Sequence, residues 1–335
     1  MSRHFLLSRA GLPLLLLSFG LLPFAYGQDT KAPEWKHGLE FPVRKADENT
    51  VTKDTKRYGA EVFIDRNLGN VIYISETGAV SALPGSAAPA GKDIKDPSRS
   101  HALVLKARKG GEKDFDKAQK FGVEVYKDEN NGKLVYISET GSLAAGTGNT
   151  ASGEPKKPTW SHGLDLKVRK GTQDNFDENT KKWGVECYKD ENTGLLVYVS
   201  ESGAVAVAAG SPPAGDIKGP KWSHGFNFRV RQAGESSSTK GKVIGCEVFH
   251  DPNTNLLVYI TENGDIAVTP GTPSASAETK KPIWLHGMDF KVRKAGEKGF
   301  TDATRKWGVE VFRDENSPQV IYVSETGSVA VLPGK

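Results

Sequence analysis

The sequence predicts a mostly β protein of the α+β class: five tandem repeats of about 62 residues, each running β-α-β-β-β and ending in a three-stranded meander. Three observations lead there. One phrase returns five times, as IYISETG at 72–78, VYISETG at 135–141, VYVSESG at 197–203, VYITENG at 258–264 and IYVSETG at 321–327. Its glutamates, Glu76, Glu139, Glu201, Glu262 and Glu325, are spaced by 63, 62, 61 and 63 residues, and a fixed period of this size marks a repeat architecture. Between the phrases, apolar residues alternate with polar ones, the period of a half-buried strand. Turn residues then fall at the same offsets in every unit.

Each unit opens on Pro-x-Trp-x-His-Gly, at 33–38, 158–163, 220–225 and 282–287; the second unit puts Arg99 and Ala102 around His101. An alternating run follows, such as Leu164, Leu166 and Val168 against Asp165, Lys167 and Arg169, and predicts strand one. A polar stretch comes next. Its apolar residues lie seven apart in Val51/Tyr58, Phe176/Trp183 and Phe300/Trp307, and six apart in Phe115/Phe121. That spacing predicts a short surface helix, with Gly59, Gly122, Gly184, Gly245 and Gly308 as its left-handed caps. The fourth unit, with Ser236, Ser237, Ser238 and Gly241, is expected to be irregular there. Strand two then runs into an Asp-x-Asn turn, strand three carries the recurring phrase, and its Glu-x-Gly turn leads into strand four.

The units span 33–84, 97–144, 158–208, 220–269 and 282–335, with joining segments rich in Pro, Ala, Gly and Ser that read as linkers. Two architectures fit. In one, each unit is a separate bead on a string, favoured by the length of the linkers. In the other, the units pack as a five-bladed β-propeller, favoured because units this small are marginal alone. The sequence reading leans to beads.

Residues 1–27 read as a cleaved signal peptide: Arg3 and Arg9 precede a leucine-rich run, and Ala25-Tyr26-Gly27 offers small residues at the cleavage site. The expected location is therefore secreted, periplasmic or cell surface, with no membrane span after signal removal. A formal charge of +4, from 45 basic and 41 acidic side chains, leaves no basic excess for nucleic acid. Cys187 and Cys246, the two cysteines, read as small buried apolar groups.

Seven residues recur in every unit: the opening His, the Arg ending strand one, Glu and Asp on strand two, the turn Asn, and Tyr and Glu of strand three. One His per unit is short of a zinc ligand set. Two carboxylates four residues apart on a strand lie ~13 Å apart by rise alone, too far for a glycosidase pair. The bland reading has His bonding within its unit and Arg pairing with Glu across strands. Asp-x-Asn followed by Glu at the twelfth position raises calcium, though the loop lacks the usual Gly at six.

The chain is thus expected to be an exported, non-enzymatic repeat protein, acting by multivalent binding or as a structural envelope component. The expected ligand is a glycan or cell-surface polymer, and no cofactor is implied. A secreted hydrolase with sites in or between repeats and a calcium-dependent module are the alternatives. The candidate binding residues are Trp35, His37 and Arg44; His101 and Arg108; Trp160, His162 and Arg169; Trp222, His224 and Arg231; and Trp284, His286 and Arg293.

Overall fold

The structure, a computed structural model, describes residues 30–85, 93–273 and 279–334. The predicted signal peptide lies outside them.

Each repeat is one four-stranded antiparallel sheet with its strands in sequence order. The first contains β1 (Glu34–Pro42), β2 (Arg57–Asp65), β3 (Asn70–Ser75) and β4 (Val80–Leu83). The second contains β5 (Ser98–Ala107), β6 (Gln119–Asp128), β7 (Lys133–Ser138) and β8 (Leu143–Gly146). The third contains β9 (Thr159–Val168), β10 (Lys181–Lys189), β11 (Leu195–Ser200) and β12 (Val205–Ala209). The fourth contains β13 (Lys221–Val230), β14 (Lys242–Asp251), β15 (Leu256–Thr261) and β16 (Ile266–Pro270). The fifth contains β17 (Ile283–Val292), β18 (Arg305–Asp314), β19 (Gln319–Ser324) and β20 (Val329–Pro333).

The fourth strands meet around a circle, β4 on β8, β8 on β12, β12 on β16, β16 on β20, and β20 back on β4. The sheets are therefore the blades of a closed five-bladed β-propeller, with strand one at the outer rim and strand four on the axis. The expectation of separate beads is overturned. Every hydrophobic cluster draws on two neighbouring blades: Phe63, Ile72 and Ile74 of blade one pack with Phe290, Trp307 and Tyr322 of blade five. A blade alone would leave both faces of its sheet in water.

The linkers are long because the chain leaves each blade at the axis and must reach the rim of the next, three inter-strand spacings of about 4.8 Å away. Where the chain arrives at each rim it is held. The turn Asn of each blade grips the incoming main chain with two hydrogen bonds: Lys156 N–H donates to Asn192 Oδ1 at 2.7 Å, and Asn192 Nδ2 donates to the Lys156 carbonyl at 2.9 Å. Asn67, Asn130, Asn253 and Asn316 hold Lys31, Lys95, Lys218 and Lys280 in the same way.

The predicted helix is absent: the described residues contain no α-helix, only short 3-10 turns at Phe115–Lys117 and Ser238–Lys240. Tyr58, Phe121, Trp183 and Trp307 sit on the second strands instead, all of them buried. The glycines read as helix caps also lie in those strands. They are required by close approach, not by left-handed backbone. A Cβ on Gly59, Gly122, Gly184, Gly245 or Gly308 would meet the main-chain carbonyl of Arg293, Arg44, Arg108, Arg169 or Arg231 in the preceding blade. Left-handed glycines recur instead in the Glu-x-Gly turns, where Gly78, Gly141, Gly203, Gly264 and Gly327 have φ of +82° to +90°. Cys187 and Cys246 are buried free thiols.

Candidate functional site

The recurring polar residues build the joints between blades. A β-bulge separates Trp, or Arg99 in blade two, from His at the start of each first strand: Trp35 opposes Phe63 while His37 opposes Val62. One extra residue flips the side-chain alternation, so Trp and His face opposite neighbouring blades.

The histidine reaches the next blade. His37, His101, His162, His224 and His286 are at most 4% exposed, and their Nε2 atoms lie 2.7 to 3.0 Å from Asp128, Asp190, Asp251, Asp314 and Asp65. In blade three, Ser161 Oγ lies 2.8 Å from His162 Nδ1, on the side of the ring away from Asp251. The third-strand Tyr lands on the same carboxylate: Tyr73, Tyr136, Tyr198, Tyr259 and Tyr322 donate to it at 2.7 to 3.0 Å. The other oxygen accepts from the turn Asn, as Asn253 N–H and Nδ2 do at 3.0 and 2.9 Å to Asp251 Oδ1. Burial alone would raise the Asp251 carboxyl; the bond and charge of His162, with Tyr198 and the Asn253 N–H, outweigh it and hold the carboxyl at about 2.

These geometries revise two expectations. Histidine bonds between units rather than within its own. The calcium reading meets a carboxylate that already accepts N–H and O–H donors on both oxygens, so a cation would have to displace them.

The strand-one arginine also crosses to the next blade. Arg44, Arg108, Arg169, Arg231 and Arg293 place Nε 2.5 to 2.6 Å from Glu124, Glu186, Glu247, Glu310 and Glu61, whose side chains are at most 2% exposed. The Trp of the receiving blade donates its indole N–H to the same glutamate: Trp35 to Glu61 at 2.7 Å, Trp160 to Glu186 at 2.8 Å, Trp222 to Glu247 at 2.7 Å and Trp284 to Glu310 at 2.5 Å. In blade two Arg99 takes that place, 2.7 Å from Glu124. The third-strand glutamate closes the joint through main-chain N–H groups, Glu201 accepting from Gly110 at 2.6 Å and from Gly184 at 3.0 Å.

The outer rim carries what remains open. Trp160, Trp222 and Trp284 are 45%, 46% and 37% exposed. Trp35, Trp160 and Trp222 each meet a phenylalanine of the preceding blade edge-on. The ring centroids are 5.7 Å apart for Trp35 and Phe300, 5.7 Å for Trp160 and Phe115, and 5.8 Å for Trp222 and Phe176. The latch arginine lies over the phenylalanine in each case: Arg293 at 4.9 Å, Arg108 at 5.7 Å and Arg169 at 4.8 Å. Three rim clefts thus share one Trp–Phe–Arg–Glu arrangement. The sequence singled out their Trp and Arg but assigned their Phe to a helix that does not form.

The axis carries the second open region. The fourth strands enclose a cavity of about 250 Å³, walled largely by small apolar residues such as Ala82, Ala144, Ala206, Ala267 and Ala330. On the side of the Glu-x-Gly turns lies a separate polar mouth of about 210 Å³, lined in part by Asp265. The other blades place Ala79, Ser142, Ala204 and Ser328 there, so aligning the repeats position by position would have exposed the odd residue.

No family model matches the chain, and no curated protein does. Among solved structures, the chain is similar to selenomethionine-substituted virginiamycin B lyase from Staphylococcus aureus at 10% identity, over 89% of this chain and 88% of that one, with a TM-score of 0.11. A catalytically inactive form of that lyase with quinupristin is similar at 13% identity, over 84% and 77%, with a TM-score of 0.13. Likeness at this level carries no argument about activity.

Proposed function

We propose that this chain is an exported, non-enzymatic binding propeller whose rim clefts hold a glycan or other cell-surface polymer. The observation that carries the reading is the repetition of one Trp–Phe–Arg arrangement around the rim of a single closed ring, with Trp160 and Trp222 exposed and Trp35 half-buried. Indole faces stack on the C–H faces of sugar rings. Sites fixed on one rigid body convert weak single contacts into avidity without the entropy that flexible linkers cost. The leader read at residues 1–27 supports export toward such a polymer.

Binding to a panel of cell-wall and extracellular polysaccharides tests this, comparing the native chain with the triple variant Trp35→Ala/Trp160→Ala/Trp222→Ala. At least a tenfold loss of apparent affinity is expected, with each single variant losing far less. Undiminished binding by a folded triple variant, or no binding to any acidic or neutral polysaccharide, would refute the proposal.

A further inference from the structure

The five-fold order of the axial mouth is broken in one sector, and what breaks it is a charge. In four blades the turn carries a hydroxyl that donates to the glycine carbonyl of the next blade. Thr77 reaches Gly141 at 3.0 Å, Thr140 reaches Gly203 at 3.2 Å, Ser202 reaches Gly264 at 3.1 Å and Thr326 reaches Gly78 at 3.2 Å. In blade four Asn263 completes the circle, its Nδ2 donating to the Thr326 carbonyl at 2.9 Å. Every member has therefore committed a donor outward to its neighbour. The turn hydroxyls keep lone pairs as acceptors, while Ser142 and Ser328 in the same lining accept from the Val205 and Val80 N–H groups.

Blade four departs in three ways at once. It has Asn263 for a hydroxyl and Asp265 for Ala or Ser. The third departure follows from the first. Ser75, Ser138, Ser200 and Ser324 each lie 2.7 Å from the turn hydroxyl of their own blade, whereas the equivalent Thr261 Oγ1 is fully buried without a partner. Asp265 is the sole titratable side chain among the residues lining the mouth. The glutamates of the nearby turns are turned away: Glu201, Glu262 and Glu325 accept from Gly110, Gly171 and Ala233 N–H groups of neighbouring blades. No hydrogen bond or ion pair to a described residue satisfies the Asp265 carboxylate. Asp265 is half-buried, and desolvation, unopposed by a counter-charge, pushes its carboxyl up to about 7.

We infer that the axial mouth is a binding site for a primary ammonium group, with Asp265 as its counter-charge and the surrounding turn hydroxyls as its other acceptors. An ammonium presents three donors around one charge, matching a carboxylate flanked by neutral oxygens. A hard divalent ion wants six or more oxygen ligands or several carboxylates, and this mouth offers a single carboxylate. The volume of about 210 Å³ suits an amine of a few heavy atoms. The site lies on the axis, apart from the rim clefts, so the two readings stand or fall separately.

The test is a calorimetric titration of the full chain with n-propylammonium at pH 8, with n-propanol and potassium as controls. Saturable propylammonium binding is expected, weakened at least tenfold in Asp265→Asn and in Asp265→Ala, the latter copying the residue of blades one and three. Wild-type affinity is expected to fall as pH drops from 8 to 5 while both variants stay flat, because protonation removes the counter-charge. Absence of saturable binding to the folded protein, equal binding by Asp265→Asn, or equal binding of propanol would overturn the site. Displacement by equimolar potassium would overturn the ammonium assignment.

Discussion

At the residue scale the molecule depends on carboxylates that serve two blades. Asp251 accepts from His162, Tyr198, Asn253 and Thr254, so an amide in its place would set an N–H₂ against donors already buried. Asp251→Asn is expected to lower stability by about 3 kcal/mol, read from the midpoint of urea unfolding. The same linkage sets the acid limit. The folded-state carboxyls of Asp65, Asp128, Asp190, Asp251 and Asp314 all lie below their ordinary value. Their stabilisation is complete above the unfolded value of about 4 and is lost as pH falls through the folded value, about 2 for Asp251. Circular dichroism between pH 5 and 1.5 should show cooperative loss of structure below about pH 4; a protein equally stable at pH 2 would contradict five coupled latches. Repetition alone singled out these residues. It could not say that the partner belongs to the next unit, because a single chain read in one dimension records which residues recur and not which surfaces touch.

At the scale of elements, two kinds of glycine carry opposite predictions. Gly184 lies in β10 with the Arg108 carbonyl of blade two where its Cβ would go, and backbone cannot yield as a side chain can. Gly184→Ala is expected to cost about 2–3 kcal/mol by forcing the blades apart. Gly194 has φ of +78° and open space around its missing Cβ, and blade four uses Asn255 at that place with φ of 59°. Gly194→Asn should therefore change stability by under about 1 kcal/mol. Parallel urea titrations of the two variants decide; similar losses would mean that close approach is not what selects Gly184. The strands were readable from alternation, and the hairpin turns from their Asp, Asn and Gly. The helix was not: Phe176 and Trp183 have helical spacing, but one reaches a rim cleft and the other a buried strand position, and periodicity over two anchors cannot separate those cases.

For the whole molecule, closure is the governing fact. Blade five returns to blade one through His286–Asp65, Arg293–Glu61 and Tyr322–Asp65, copies of the joints elsewhere, so the ring closes without a strand exchanged between blades. An excised unit, residues 156–209, would expose both apolar faces and lose every joint. It is expected to be unfolded in solution, and a cooperative thermal transition from that fragment would refute the ring as the unit of stability. Small-angle scattering of the intact chain should give a radius of gyration near about 19 Å, the compact value for some 300 residues; a string of beads would be far larger.

The sequence by itself determined the period, the four strands of each unit and the set of residues that recur, because strand alternation and turn chemistry act over a few neighbouring residues. Tertiary structure decided that the units form one ring, that His and Arg serve the neighbouring unit, and that Asp265 stands alone on the axis. Each of these depends on contacts between residues some 60 to 250 positions apart, such as Tyr322 with Asp65. Long linkers pointed toward beads because their composition is that of spacers. Their length is geometric: the chain ends each blade at the axis and begins the next at the rim.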